Sequence, residues 1–157
     1  MSHVSNKNKQ VAEKTYTQIL KKMYKKVGKT TTYNDQLIKV GKQLFKHKFM
    51  GVFASDKIPN KIPKGYCFII NVDKSNESGS HWIAVCKDIN TNQIWVYDSF
   101  GRNITKLIPN LKKKFKLNLK EPEHDAEQKE SQTDCGARCL AFIYIFLNYG
   151  PSIAKYI

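Results

Sequence analysis

The sequence contains no hydrophobic segment long enough to cross a membrane. Its longest apolar run extends from Cys139 to Leu147, whereas a membrane-spanning helix needs about 20 residues. The opening stretch MSHVSNKNKQ is not followed by the apolar core of a signal peptide. We therefore expect a soluble protein that acts inside a cell, has no membrane partner and is not secreted. Its 157 residues suit one folded domain spanning 1–157.

Acidic side chains are scarce, because 13 Asp and Glu stand against 27 Lys and Arg and give a net charge of +14. The excess is concentrated in residues 1–48, where twelve lysines meet only Glu13 and Asp35. Such a field attracts polyanions, and aromatic residues interleave with these lysines, as in nucleic-acid-binding surfaces. A merely solvated, lysine-rich face is the alternative. The lysines expected to contact DNA are Lys21, Lys22, Lys25, Lys26, Lys112, Lys113 and Lys114.

The cysteines lack the spacing of a metal or disulfide framework. None of the four forms a CxxC pair, and most lie in apolar surroundings. Cys135 and Cys139 share one helical face, but no His or Cys cluster near them in sequence completes a metal site. Neither a zinc cage nor a set of disulfides is predicted.

Hydrophobic periodicity predicts two amphipathic helices near the amino terminus. The first covers residues 9–27 and has one apolar stripe, formed by Val11, Ala12, Tyr16, Ile19, Leu20, Met23 and Val27. The second follows a Thr32-x-x-Asp35 capping box and turns four apolar residues to the core, namely Leu37, Val40, Leu44 and Phe45. Two prolines predict that residues 51–64 form a loop.

Strand signals dominate the middle of the chain. Residues 66–72, 81–87 and 93–98 are separated by turn signals at 75–79 and 90–92, which predicts an antiparallel meander. A helix interrupted or started by Pro109 is expected over 103–114, and a further strand over 115–119. The last helix should run from Cys135 to Tyr149, before Gly150-Pro151. We predict an α+β fold with this helix packed on the sheet.

Cys135 lies at the start of that last helix, where two interpretations are open. The free N–H groups of a first helical turn favour a thiolate and can bind an oxyanion, and Gly136 would let a substrate approach closely. Cysteine is also a common packing residue at such a position. A nucleophile would need a base and a group that orients it.

The base must be one of four histidines, of which His81 is the best placed. His3 and His124 fall in a predicted tail and loop, and His47 falls among lysines. His81 begins a predicted strand, and Asp98 ends the next one, so the hairpin brings both to the same end of the sheet. A carboxylate there can accept the imidazole N–H and fix its tautomer.

Three motifs in this order resemble the adenovirus-protease family of cysteine peptidases, part of the clan that includes the SUMO-specific proteases. They are GSHWIAV (79–85), VYDSFG (96–101) and QKESQTDCG (128–136), and GVFASDKIPNKI (51–62) resembles the loop before the family's first core strand. The resemblance implies a papain-like core in circularly permuted order, with a small mixed sheet flanked by helices. Residues 50–149 would form this catalytic core, and the basic, helical residues 1–48 match only loosely.

The resemblance also assigns roles to individual residues. Cys135 would be the nucleophile, His81 the base and Asp98 its orienter, with Trp82 and Gly136 as walls of the site. Family spacing makes Gln128, seven residues before the cysteine, the oxyanion donor, and Gln132 is the alternative. No metal or organic cofactor is needed for such hydrolysis.

The implied biology is maturation of viral particles. Relatives cleave precursor capsid and core proteins at Gly-containing sites, inside the virion or the infected cell, and the adenovirus enzyme is stimulated by DNA and by a disulfide-linked peptide. DNA is therefore an expected activator here, whereas residues 103–120 lack the cysteine that a peptide cofactor would need. We expect a monomer. The alternatives are a SUMO or ubiquitin-like deconjugase, an acyltransferase, and an inactive, basic DNA-packaging protein.

Overall fold

The computed structural model describes residues 3–72, 81–115, 119–122 and 133–157, with side chains described from residue 6 onward. Its helices are α1 (His3–Val27), α2 (Asn34–Phe45), α3 (Ile104–Leu107), α4 (Pro109–Phe115), α5 (Cys135–Tyr149) and α6 (Pro151–Ala154). Its strands are β1 (Phe49–Ala54), β2 (Cys67–Asn71), β3 (Trp82–Lys87), β4 (Ile94–Tyr97) and β5 (Leu119–Lys120). A 3-10 turn, Lys46–Lys48, joins α2 to β1.

Within the described ranges the strands form one mixed sheet in the order β1-β2-β3-β4-β5. The central strands β2, β3 and β4 form the predicted antiparallel meander, and β1 and β5 add a parallel strand at either edge. The α+β class with helices on both sides of a mixed sheet is thus confirmed.

Strict alternation along the central strands builds a core on each face of the sheet. On β2, Cys67 and Ile69 face the layer formed by α1, α2 and α5, while Phe68 and Ile70 face α3 and α4. These strands are buried on both faces, so they appear in the sequence as continuous apolar runs. Helix α5 lies between the sheet and α1, which explains why nearly its whole circumference is buried.

The two amino-terminal helices differ in detail from their predictions. Helix α1 begins at His3, six residues earlier than predicted, and Val11 of the predicted stripe is 37% exposed. Helix α2 begins at Asn34, and its N-cap is Tyr33, one residue after the predicted cap Thr32. The Tyr33 N–H donates to the side-chain oxygen of Gln36. Thr32 is buried instead of capping the helix.

The prediction that residues 51–64 form a loop is wrong in its first part. Strand β1 occupies Phe49–Ala54 and pairs with β2, and the prolines Pro59 and Pro63 come only after it. Of the predicted strand over 115–119, Phe115 instead ends α4, Leu119 does lie in β5, and residues 116–118 lie outside the described residues. The predicted turn at 75–79 lies outside the described residues.

Candidate active site

A short hydrogen bond joins His81 to Asp98 at one end of the sheet. His81 immediately precedes β3, Asp98 immediately follows β4, and the antiparallel pairing of these strands brings them together. The His81 Nε2 and Asp98 Oδ1 atoms are 2.6 Å apart, and both residues are only 6% exposed. Since an ionised carboxylate only accepts, Nε2 carries the proton and Nδ1 is left as the basic nitrogen.

The Asp98 carboxylate is held by the turn that follows it. Its Oδ1 also accepts the Phe100 N–H (3.1 Å), and its Oδ2 accepts the Nε–H (2.9 Å) and backbone N–H (3.3 Å) of Arg102. Burial alone would raise the pKa of Asp98, but the bonds from His81, Arg102 and Phe100 lower it below its ordinary value. Asp98 is therefore a fixed anion beside the imidazole.

The Phe100 ring covers the other side of the imidazole, with ring centroids 4.8 Å apart. The Arg102 guanidinium lies 5.0 Å from the centroid of the same ring. Phe100 and Arg102 were not among the predicted site residues. The SFGR sequence directly after Asp98 is the signal that could have identified them, because a turn there brings its N–H groups back to the carboxylate.

Cys135 is the first residue of α5, as predicted, and is 5% exposed. Burial raises the pKa of the Cys135 thiol, and the negative charge of Asp134 adds to this effect. The backbone N–H groups of Trp82, Cys135 and Gly136 act in the opposite direction and lower it. The thiol thus lies beside the residue that follows His81, in reach of the first-turn N–H groups of α5.

The predicted walls of the site, the two glutamines and the second cysteine of α5 differ in what the structure shows of them. Trp82 and Gly136 are buried around Cys135, and Gly136 packs so closely that an added Cβ would lie 2.0 Å from Thr32 Oγ1. Gln128 and Gln132 lie outside the described residues, so both stay predictions. Cys139, one turn after Cys135, is completely buried.

The predicted DNA-contacting lysines divide between α1 and α4. Those on α1 are exposed, as are Lys112 and Lys113. Lys114 is exposed as well, but its ammonium donates to the Ile58 carbonyl (2.7 Å) and to Asn60 Oδ1 (2.8 Å), so it ties α4 to the loop after β1. No structural observation tests DNA contact at any of them.

The described residues hold neither a candidate metal site nor a candidate membrane-spanning helix. They contain no cluster of three His, Cys, Asp or Glu side chains suited to a metal ion. Nor does any helix among them combine the length and apolarity that crossing a bilayer requires.

Comparison with known proteins fits this geometry. The sequence profile of the adenovirus endoprotease family matches residues 44–155. The chain belongs to this family. A protein of Acanthamoeba polyphaga mimivirus, whose name describes it as a thiol protease, is 32% identical over 92 residues, which are 53% of this chain and 30% of that protein. The chain thus spans less than a third of this relative. The predicted family is thus confirmed. The catalytic roles assigned to individual residues of this chain stay predictions.

Proposed function

We propose that the protein is a viral cysteine endopeptidase that cleaves precursor polypeptides at Gly-containing sites. The observation that carries the proposal is the buried 2.6 Å bond between His81 Nε2 and Asp98 Oδ1, together with a helix-start cysteine whose thiol lies by the backbone N–H of the residue after His81. A buried, oriented imidazole next to a thiol is what nucleophilic catalysis requires. Membership of the adenovirus endoprotease family supports the same reaction class.

In the proposed reaction, His81 Nδ1 takes the proton of the Cys135 thiol as the sulfur attacks a peptide carbonyl. The tetrahedral oxyanion is stabilised by the Cys135 N–H and by the side chain of Gln128. The imidazolium then gives its proton to the departing amine, which leaves a thioester. Water, deprotonated by His81, hydrolyses the thioester and regenerates the thiol.

The environment of Cys135 makes its thiol a weaker acid than a free cysteine. Burial and the Asp134 carboxylate raise the pKa of this thiol despite the three nearby N–H groups. Attack by the sulfur therefore needs a base, which is the role proposed for His81. Asp98 assists because its negative charge stabilises the imidazolium that forms.

DNA is proposed as the activator. The exposed lysines of α1 support this, because they crowd the outer side of a helix whose inner side packs directly on α5. DNA bound to α1 would lie about one helix diameter, roughly 10 Å, from the helix that carries Cys135. The substrates are proposed to be viral precursor proteins, and the protein is proposed to act as a monomer.

The experiment that tests the function measures cleavage of Gly-containing peptides by the wild type and by Cys135→Ala and His81→Ala. We expect cleavage by the wild type, none by either variant, and a trapped thioester with wild type after acid quenching. Retention of activity by Cys135→Ala would refute the proposal. Cleavage confined to conjugates with a Gly-Gly tail would instead identify a deconjugase, and DNA binding without any cleavage would identify the packaging protein.

A further inference from the structure

A buried polar network connects α1 to both arms of the candidate site. The Arg138 Nε–H donates to Asp134 Oδ1 (3.1 Å), and Arg138 Nη1 donates to the Tyr16 hydroxyl (3.1 Å). The Tyr16 and Tyr97 hydroxyls share a hydrogen bond of 2.9 Å, and Tyr24 donates to Asp134 Oδ2. Asp134, Arg138, Tyr16 and Tyr97 are each no more than 6% exposed.

Two members of this network are chain neighbours of proposed catalytic residues. Asp134 directly precedes Cys135, and Tyr97 directly precedes Asp98. The Tyr97 ring also stacks on Phe142 of α5, with centroids 4.7 Å apart and planes within 2° of parallel. The network therefore fixes the start of α5 and the end of β4 against each other through a single residue of α1, Tyr16.

Stability is a poor explanation for burying these charges. Desolvating an ion pair offsets most of its Coulomb attraction, and apolar replacements of similar volume are often no less stable. Arg138 stays charged, because a guanidinium keeps its proton in proteins, and Tyr16 and Asp134 raise its pKa further against the effect of burial. The buried Asp134–Arg138 pair therefore indicates a role other than stabilising the fold.

The direction of the Asp134 carboxylate indicates that role. Asp134 is the N-cap of α5, where Asp side chains ordinarily accept first-turn N–H groups, yet it makes no such bond. Arg138 and Tyr24 hold the carboxylate instead. The N–H groups of Cys135 and Gly136 consequently remain near the Cys135 sulfur, and the Asp134 side chain does not cap the helix.

We propose that Tyr16 and Arg138 are positioning residues for Cys135: Arg138, anchored by Tyr16, joins Tyr24 in holding the Asp134 carboxylate away from the first turn of α5. This inference rests on the proposed function, in which those N–H groups face a thiolate and an oxyanion. Without the network, Asp134 would swing back to cap its helix, would occupy a first-turn N–H group and would strengthen the repulsion of both anions that its charge already exerts. The helix α1 would then belong to the catalytic apparatus.

Tyr16→Phe is the first test, because it keeps the ring and removes both hydroxyl bonds. We expect kcat for a Gly-containing peptide to fall about three- to tenfold, the range of one or two lost hydrogen bonds, with KM within about twofold of wild type. We expect a larger fall of kcat in Arg138→Gln. Arg138→Lys should recover part of that loss, since it restores a positive charge beside Asp134. An unchanged kcat in Tyr16→Phe would overturn the proposal, as would a loss seen only in KM.

Alkylation of folded protein by iodoacetamide, with labelled cysteines identified by mass spectrometry, gives a readout independent of any substrate. We expect Cys135 to label about three- to tenfold more slowly in Tyr16→Phe, because the returning carboxylate disfavours the thiolate. The fully buried Cys67, Cys86 and Cys139 should stay unlabelled. General loosening would instead speed labelling of all four, which would contradict the proposal.

Val27→Ala is the matched control, because it weakens the packing of α1 without touching the network. It should label Cys135 at the wild-type rate, and slowing equal to that of Tyr16→Phe would overturn the inference. The labelling difference also separates the two proposals. If the wild type cleaves no peptide but Tyr16→Phe still slows labelling, the proposed function fails and the positioning role stands.

Discussion

At the scale of single residues, Asp98 has two separable partners, the imidazole of His81 and the guanidinium of Arg102. In Asp98→Asn the amide NH₂ must face either His81, whose imidazole would then change its tautomer, or Arg102, whose donors it would oppose, and in both cases the negative charge beside the imidazolium is lost. We expect peptide cleavage to fall by about 10²- to 10⁴-fold, the upper value being the loss known for this change in a serine-protease triad. Steady-state kinetics would measure it.

Arg102→Ala is the control for this prediction, because it keeps the His81–Asp98 bond. Its side chain is 44% exposed, and exposed ion pairs contribute about 0.2–1 kcal/mol. We therefore expect less than about a tenfold loss, since 1.4 kcal/mol corresponds to a factor of ten. A larger loss in Arg102→Ala than in Asp98→Asn would mean that Arg102, not Asp98, orients the imidazole.

The lowered pKa of Asp98 predicts how acid affects stability. Its folded-state pKa lies below the ordinary value of 3.8, so ionised Asp98 stabilises the fold at higher pH and this contribution is lost as pH falls through the folded-state value. The free energy of unfolding of wild type minus that of Asp98→Asn should shrink as pH falls below 3.8. Urea titrations at several pH values would measure it. A difference that stays constant in acid would refute the assignment.

The oxyanion donor is predicted from family spacing alone. Gln128→Ala should reduce kcat about 10²- to 10³-fold, as the loss of one oxyanion donor does, while Gln132→Ala should leave it within a few-fold of wild type. Stopped-time assays with saturating peptide would separate them. A crippling effect of Gln132→Ala with an active Gln128→Ala would reverse the assignment.

At the scale of elements, the hydrophobic pattern predicted the helices and strands whose buried residues follow a simple helical or strand repeat. The stripe of α1, the continuous apolar runs of β2 and β3 and the long apolar helix α5 all fall where the pattern indicates. Strand β1 was not predicted because its sequence FMGVFA continues into a segment with two prolines, and only pairing with β2 decides where the strand ends. Such long-range pairing has no local signature.

The candidate site was predictable to the extent that chain order and hairpin register determine it. A strand start and the next strand's end must meet across a hairpin, which brings His81 to Asp98. The network around Arg138 was not predictable, because Tyr16 and Arg138 are 122 positions apart. Nothing in the periodicity of α1 distinguishes Tyr16 from the apolar residues of its stripe.

The contact between Gly136 and Thr32 joins the α1–α2 connection to the first turn of α5. In Gly136→Ala the new Cβ would lie 2.0 Å from Thr32 Oγ1 and 3.2 Å from Leu37 Cδ2. Overpacking of this kind destabilises by about 1–3 kcal/mol, which chemical denaturation would measure. The damage should be smaller in a Thr32→Ala background, since that change removes the nearest atom. Equal damage in both backgrounds would contradict this packing.

At the scale of the whole molecule, the exposed lysines and the buried polar network lie on different sides of α1. The inner side carries Tyr16 and Tyr24 towards α5, whereas the lysines occupy the outer side. If DNA binds as proposed, this division would let a polyanion on one side bias the polar network on the other. It also means that the excess charge can be changed without altering the buried core.

The final prediction concerns DNA binding and its dependence on salt. Changing Lys21, Lys22 and Lys25 together to Gln should weaken duplex DNA binding and reduce the slope of log K against log salt by up to about 0.9 per lost phosphate contact. Fluorescence anisotropy across a salt series would measure both. The equally exposed Lys57, Lys61 and Lys64 provide a matched triple, whose change to Gln should alter the slope much less. Equal slopes in the two triples would show that net charge, and not α1, attracts DNA.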